Sequence, residues 1–245
     1  MKSKVFQAFT QKLQYFDDDI ELIDALRISV LRGDLTDPGS AHVIKSVDPA
    51  CHPHLARRQN SDGSRKNTIY HLRGTVYSSY VKDVYEEVTH YLRTILAQAS
   101  LNGFSSGRIV GEHSFKIDAK TVLALGSWEN MCQHVTESVF QSLEAEKSTL
   151  KLIEKIARKL DLDVSEQTLN AALPYLEVRH YLVHADGRLP TDFIQKYPQI
   201  KSTRGKVELD YVFISELRSS VNSLVAEIDA EVISKRLLRL QDTRP

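Results

Sequence analysis

Cysteine is nearly absent from this chain. Cys51 and Cys132 are the only two among 245 residues, too few and too far apart for a disulfide framework or a cysteine-based zinc site. Turn formers are scarce as well: 10 glycines and 7 prolines do not supply the frequent turns that an all-β design needs. No apolar run reaches the roughly 18 residues of a membrane span. The opening stretch MKSKVFQAFTQKLQYFDDD starts basic but turns polar and acidic where a signal peptide has its apolar core. No membrane partner is therefore expected, and the expected location is cytoplasmic. Net charge is missing too, because 32 Lys+Arg balance 32 Asp+Glu. Proteins that hold nucleic acid by bulk charge are usually basic, so neutrality disfavours a stoichiometric coat while leaving room for an enzyme that touches a few phosphates. Gly103, Gly107 and Gly111 do not form a phosphate loop, since no Gly-Lys-Ser/Thr ending comes after them. Kinase, Rossmann, hydrolase-elbow and deaminase patterns are not visible.

What is present is helical periodicity. Val5, Phe6, Phe9, Leu13, Phe16, Ile20, Ile23 and Leu26 recur mostly at spacings of three and four, which predicts a helix over 3–32. The acids Asp17, Asp18, Asp19 and Glu21 on it point in different directions and read as a solvated face rather than a metal site. Residues 33–66, with Pro38, Gly39, Pro49, Pro53 and Gly63, read as a long irregular connection, a kind that tends to be functional or mobile. A second helix is expected over 67–100. Its tyrosines Tyr77, Tyr80, Tyr85 and Tyr91 suit core packing, with base stacking the alternative for some. Residues 101–127 break the pattern, with a short strand or packed loop at 114–118. Helix returns from Trp128 to Leu160. A further helix is expected over 165–183, with Ser165 as N-cap and Pro174 marking a kink or restart, and the last runs over 210–240. The sum is a single all-α domain, 1–245, with irregular segments near 33–66 and 101–127.

Two clusters outside this frame carry possible chemistry. Arg57, Arg58, Arg65 and Lys66 are either a solvated loop or a surface for an RNA backbone. Cys51, His52 and His54 lie close together, but a zinc site needs a fourth ligand or an open catalytic position. Pro53 makes joint ligation awkward, so the segment reads as a surface loop and no metal or other cofactor is expected.

The segment Arg179-His180-Tyr181-Leu182-Val183-His184, running on into Ala185-Asp186-Gly187, argues chemistry most directly. Arginine clamps phosphate and histidine moves protons near neutral pH. Positions five apart lie about 140° apart around a helix, so an ending helix, signalled by Asp186-Gly187, is needed to bring Arg179 and His184 together. Tyr181, Leu182 and Val183 are expected to anchor the segment to the core. The bland alternative pairs Arg179 with Glu177 or another acid and leaves His184 as a helix-end cap.

This string resembles the signature of the HEPN superfamily, in particular its prokaryotic toxin, abortive-infection and restriction-associated members: Arg, four residues, then His near the end of a core helix. The resemblance implies an HEPN-like helical bundle and a metal-independent endoribonuclease. A ribose 2′-hydroxyl would attack the adjacent phosphorus, leaving 2′,3′-cyclic phosphate and 5′-hydroxyl ends, in a toxin or anti-phage defence effector. It also implies a homodimer with RNA as substrate and a cognate antitoxin or defence-system protein as a possible partner. Arg179 and His184 become the catalytic pair. His180 stands where the family commonly has Asn or another polar residue, and it either orients Arg179 or the phosphate or competes with His184 for proton transfer. Glu86 and Glu87 of the second helix are candidate supporting acids. The alternative is a catalytically inactive HEPN-type module that binds RNA or protein.

Overall fold

The three- and four-residue spacing of the opening apolar positions produces a continuous helix, α1 (Lys4–Arg32), preceded by a short strand β1 (Lys2–Ser3). The computed structural model of the protein describes residues 1–113, 116–145 and 148–244. Beyond α1 the chain forms α2 (Pro53–Ala56), α3 (Asp62–Leu101), α4 (Ser106–Val110), α5 (Ala119–Leu125), α6 (Trp128–Glu144) and α7 (Thr149–Leu160). It continues through α8 (Glu166–His184), α9 (Thr191–Lys196), β2 (Ser202–Thr203), β3 (Lys206–Val207), α10 (Tyr211–Ser234), a 3₁₀ turn at Leu240–Asp242 and β4 (Thr243–Arg244). Among the described residues, strands occur only as two short antiparallel pairs, β1 with β4 and β2 with β3. The chain is all-α in class. No helix among the described residues is long and apolar enough to cross a membrane.

Several boundaries correct the sequence reading. Helix α3 begins at Asp62, so residues 62–66 are helical rather than irregular. Ser61 caps it by accepting from the Ser64 N–H at 3.3 Å, and the Asp62 carboxylate sits in the first turn, where the helix dipole favours it. The rest of the connection is tied down by backbone bonds such as Lys45 N–H to Leu35 O at 2.9 Å and Asn60 N–H to Ala41 O at 3.0 Å. Region 101–127 contains α4 and α5, the latter capped by the Asp118 carboxylate on the Thr121 N–H. Of the strand or loop expected at 114–118, Ser114 and Phe115 lie outside the described residues, and 116–118 are irregular.

The helix expected over 128–160 is two helices, because Ser148 starts α7 afresh by accepting from the Lys151 N–H. Pro174 neither ends nor restarts α8. Leu173, Tyr175 and Leu176 beside it are buried, and that packing offsets the one helical bond a proline forgoes. Helix α10 stops at Ser234 rather than near 240. Leu237 N–H bonds to Val232 O and Arg236 N–H to Ile233 O, each at 3.0 Å, and Arg236 takes φ 52°. This is the paired closure of a Schellman end, with arginine where glycine is usual.

The chain divides into two compact units: Met1–Lys12 with Val81–Pro245, and Leu13–Tyr80. In the first, α8 packs on α10 and α7, α6 on α7 and α5, and α4 on α6 and α7. Leu169, Leu173 and Leu176 of α8 and Leu217, Val221, Leu224 and Ile228 of α10 are buried, each set forming one stripe along its helix. Full burial contributes about 1.5–3 kcal/mol per such side chain before chain entropy is counted. Inside this apolar packing sits Asp229, 2% exposed. It accepts from the Ser3 N–H at 3.1 Å, from the Ser3 hydroxyl and from the Tyr91 hydroxyl at 3.1 Å, fastening the N-terminal strand to α3 and α10. In the second unit, Leu13, Ile20, Ile23, Val43, Val47, Ile69, Tyr77 and Tyr80 are buried. The Tyr80 hydroxyl donates to Asp17 at 2.9 Å, so Asp17 is engaged while Asp18 and Asp19 remain exposed.

Burial, reinforced by Asp229 beside Tyr91 and by Glu216 hydrogen-bonded to Tyr175, pushes both phenols above their ordinary pKa of 10.0. Both stay protonated in the folded chain where the unfolded chain has begun to ionise. Their contribution is intact below pH 10 and is lost as pH rises through the folded values. The melting temperature should therefore fall above pH 10, and Tyr175→Phe should make that fall shallower. Thermal unfolding followed by circular dichroism from neutral to alkaline pH tests both statements; a variant with an unchanged alkaline slope contradicts the second.

Candidate active site

The last turns of α8 carry Arg179, His180 and His184. At 100° per residue, His180 and His184 lie one turn apart on a shared face, with Arg179 to one side. Their rings have centroids 4.9 Å apart and planes inclined at 51°. Both histidines are exposed and Arg179 is partly buried. All three line one open cleft of about 680 Å³, together with Tyr85 of α3, Glu144 of α6 and Thr149 of α7. The angle between Arg179 and His184 is thus spanned by a cleft wide enough to be bordered by both.

Helix α8 ends at His184 because the next residues turn the backbone away. Asp186 and Gly187 adopt φ of 51° and 74°, left-handed values that a right-handed helix does not continue through and that glycine meets without steric cost. The Ala185 and Gly187 N–H groups both donate to Tyr181 O, at 3.0 and 2.9 Å. The β2–β3 hairpin braces the turn through Val207 N–H to Gly187 O at 2.9 Å and Leu189 N–H to Gly205 O at 2.8 Å, while Lys206 pairs with Asp186. Tyr181 stands edge-on to Phe193 of α9, with centroids 4.9 Å apart. Tyr181 and Leu182 are half-buried, but Val183 does not serve as an anchor: it is 44% exposed.

Arg179 is held from α3. Its Nη2 donates to Glu86 Oε1 at 3.0 Å, and its guanidinium carbon lies 4.7 Å from the centroid of the Tyr85 ring, within cation–π range. Two successive residues thus grip one cation, one by charge and one by its ring face. The Arg179 Nε is buried and has no hydrogen-bond partner among the described residues. Burial raises the Tyr85 phenol above its usual value, and the Arg179 cation partly opposes that. The phenol is therefore neutral at physiological pH.

The other residues singled out by sequence lie elsewhere. Glu177 does not pair with Arg179. It is half-buried near Lys196 and Tyr197, and burial pushes its carboxyl up. Glu87, next to Glu86 but about 100° further round α3, forms an ion pair with Lys12 at 2.6 Å and does not line the cleft. Arg57, Arg58, Arg65 and Lys66 do not line it either; they belong to the unit Leu13–Tyr80. Arg65 bonds to Asn60 Oδ1 at 2.6 Å and pairs with Asp62, stitching the connection to the start of α3. His52 Nδ1 accepts from the Asp48 N–H at 3.1 Å, consistent with a turn before α2. Sequence reasoning missed Tyr85 as the platform under Arg179, and Glu144 and Thr149 as cleft walls. Tyr77, Tyr80 and Tyr91 are buried as packing residues; Tyr85 differs by its place directly before Glu86, which a helix projects to an adjoining sector.

Comparison of the chain with models of known families, with curated proteins and with solved structures gives no significant match.

Proposed function

We propose that the chain is a metal-independent endoribonuclease of the HEPN type. The observation that carries this reading is one open cleft bordered by a clamped guanidinium, Arg179, and an imidazole at a helix end, His184. In the reaction, a ribose 2′-hydroxyl attacks the adjacent phosphorus and the 5′-oxygen leaves. Arg179, one wall of the cleft, stabilises charge on the non-bridging oxygens. His184 moves a proton. The nucleophile is part of the substrate and the stabilising charge is part of the protein, so no step requires a metal. DNA lacks the 2′-hydroxyl and is not cut by this route. The fold reading that goes with it is an HEPN-like bundle acting as a homodimer. A toxin or anti-phage effector, restrained by an antitoxin or defence-system partner, is the biological setting that such an activity fits.

Incubation of the purified protein with labelled RNA in EDTA tests the reading. Cleavage by the wild-type chain that is lost in Arg179→Ala and His184→Ala is expected. RNA binding without any cleavage would favour a non-catalytic binding module instead.

Glu86 acts through Arg179, so its loss should misplace the guanidinium rather than remove it. Glu86→Gln should lower kcat about tenfold with little change in KM, since small misplacements of a clamping group are felt mainly in the transition state. Steady-state cleavage kinetics check this; a raised KM at unchanged kcat contradicts it.

A further inference from the structure

We propose that His180 and His184 of a single chain form a complete base–acid pair, so that both proton transfers of RNA cleavage are supplied in cis. The inference rests on the ribonuclease reading above and assigns its second proton-transfer group. An in-line displacement places the entering 2′-oxygen and the leaving 5′-oxygen on opposite sides of phosphorus, two phosphorus–oxygen bonds apart. A proton must leave the first oxygen as another reaches the second. One imidazole cannot be within hydrogen-bond reach, about 2.6–3.2 Å, of both apical oxygens in suitable directions at once. Two imidazoles side by side can.

The four-residue spacing on α8 provides that arrangement without help from another chain. The ring centroids are 4.9 Å apart, so the two imidazoles are neighbours on one face of the helix. The planes are inclined at 51° rather than stacked face to face. Both rings border the same cleft as Arg179, so a phosphate held by the guanidinium meets both from the same helix turns. The step balances within these groups. The 2′-hydroxyl proton passes to the neutral ring as the 2′-oxygen–phosphorus bond forms. The protonated ring gives its proton to the 5′-oxygen as the phosphorus–oxygen bond breaks, and exchange with water restores the pair. His180, in this account, touches the reacting atoms rather than merely orienting Arg179.

The test uses two short RNAs that differ at one scissile phosphate. The first is normal; in the second, sulfur replaces the bridging 5′-oxygen, and its thiolate leaves without needing a proton. On the normal RNA, His180→Ala and His184→Ala should each lose on the order of 10²–10⁴-fold in rate. On the sulfur-bridged RNA, one of the two variants, the one lacking the acid, should return to within about tenfold of wild type, while the other stays slow. His180→Ala chains co-expressed with His184→Ala chains should remain inactive, because neither chain holds both groups. Both rings are exposed, so melting temperatures should stay near wild type, excluding misfolding as the cause. The pair is overturned if His180→Ala cleaves normal RNA at the wild-type rate, if the sulfur rescues both variants or neither, or if the co-expressed variants regain activity, which would put the second group on a partner chain. A wild-type chain that cleaves neither RNA overturns the ribonuclease reading itself, a result distinguishable from all of these.

Discussion

Arg179→Ala and His184→Ala should each slow RNA cleavage by about 10²–10⁴-fold, the range associated with losing a positioned proton-transfer group or a preorganised charge donor. The two losses differ in kind. Without His184 the guanidinium still has its grip on Glu86 and Tyr85, so substrate binding should persist and the defect should fall on kcat. Without Arg179 both phosphate binding and charge stabilisation go, so kcat/KM should fall further than kcat. Arg179→Lys separates charge from geometry. A lysine keeps the positive charge but loses the planar fork that meets Glu86, a phosphate and the Tyr85 face together, and it should recover only a small part of the lost rate. Neither alanine variant should unfold the chain. His184 is exposed, and the Arg179–Glu86 ion pair, with Glu86 59% exposed, belongs to the solvent-screened class that contributes little to stability. Single-turnover kinetics together with a melting curve for each variant check both halves of the statement. Full activity in either variant moves the active site elsewhere.

Asp229→Ala should produce the largest loss of stability. Removing the carboxylate leaves the Ser3 N–H, the Ser3 hydroxyl and the Tyr91 hydroxyl without their acceptor in a site where Ser3 and Tyr91 are fully buried. Each buried donor left unpaired costs about 1–3 kcal/mol, and some relaxation around Ser3 recovers part of that. A net loss of about 3 kcal/mol is expected, lowering the melting temperature of a chain of this size by roughly 6–12 °C. Asp229→Asn keeps one oxygen acceptor and should lose less. Denaturant and thermal unfolding of both variants test the ranking. An alanine variant as stable as wild type would mean that the cluster is not what fastens the N-terminal strand. None of these residues lines the cleft, so at temperatures where the variants remain folded, cleavage should be close to wild type.

The contrast between these two clusters shows what the sequence can and cannot disclose. Arg179 and His184 stand five positions apart, with a glycine turn after them; that spacing draws notice to the pair, and the resemblance of the surrounding string is what gives it a chemical role. Glu86 is a candidate as an acid on the second long helix, but its bond to Arg179 spans 93 residues, and nothing local distinguishes it from Glu87. Which of two neighbouring acids meets Arg179 and which meets Lys12 is a matter of helix phase, fixed by how α3 packs. Tyr85 is harder to see because its neighbours Tyr80 and Tyr91 are ordinary packing residues. Asp229 gives no signal at all. It lies within the apolar stripe of α10, and its partners Ser3 and Tyr91 are 226 and 138 residues away.

Helix limits obey the same logic. Ser165 caps α8 as its residue type suggests. The end of α7 at Leu160 agrees with the sequence reading, whereas the end of α10 is obscure because Arg236 takes the left-handed conformation, with φ of 52°, at a position where glycine would have announced a stop. Periodicity alone cannot separate α6 from α7 either, since both halves carry the same three- and four-residue apolar spacing and only the Ser148 cap marks the restart.

In the proposed reaction the substrate's own 2′-hydroxyl is the nucleophile, activated in the cleft that Arg179 and His184 border. One measurement addresses it most directly: cleavage of an RNA carrying a single 2′-deoxy nucleotide at an otherwise preferred scissile position, with product ends read by mass spectrometry. No cut is expected at the deoxy position, and at the remaining cut sites a 2′,3′-cyclic phosphate should appear on one fragment and a 5′-hydroxyl on the other. Cleavage that persists at the deoxy position, or fragments bearing 5′-phosphates, would contradict it.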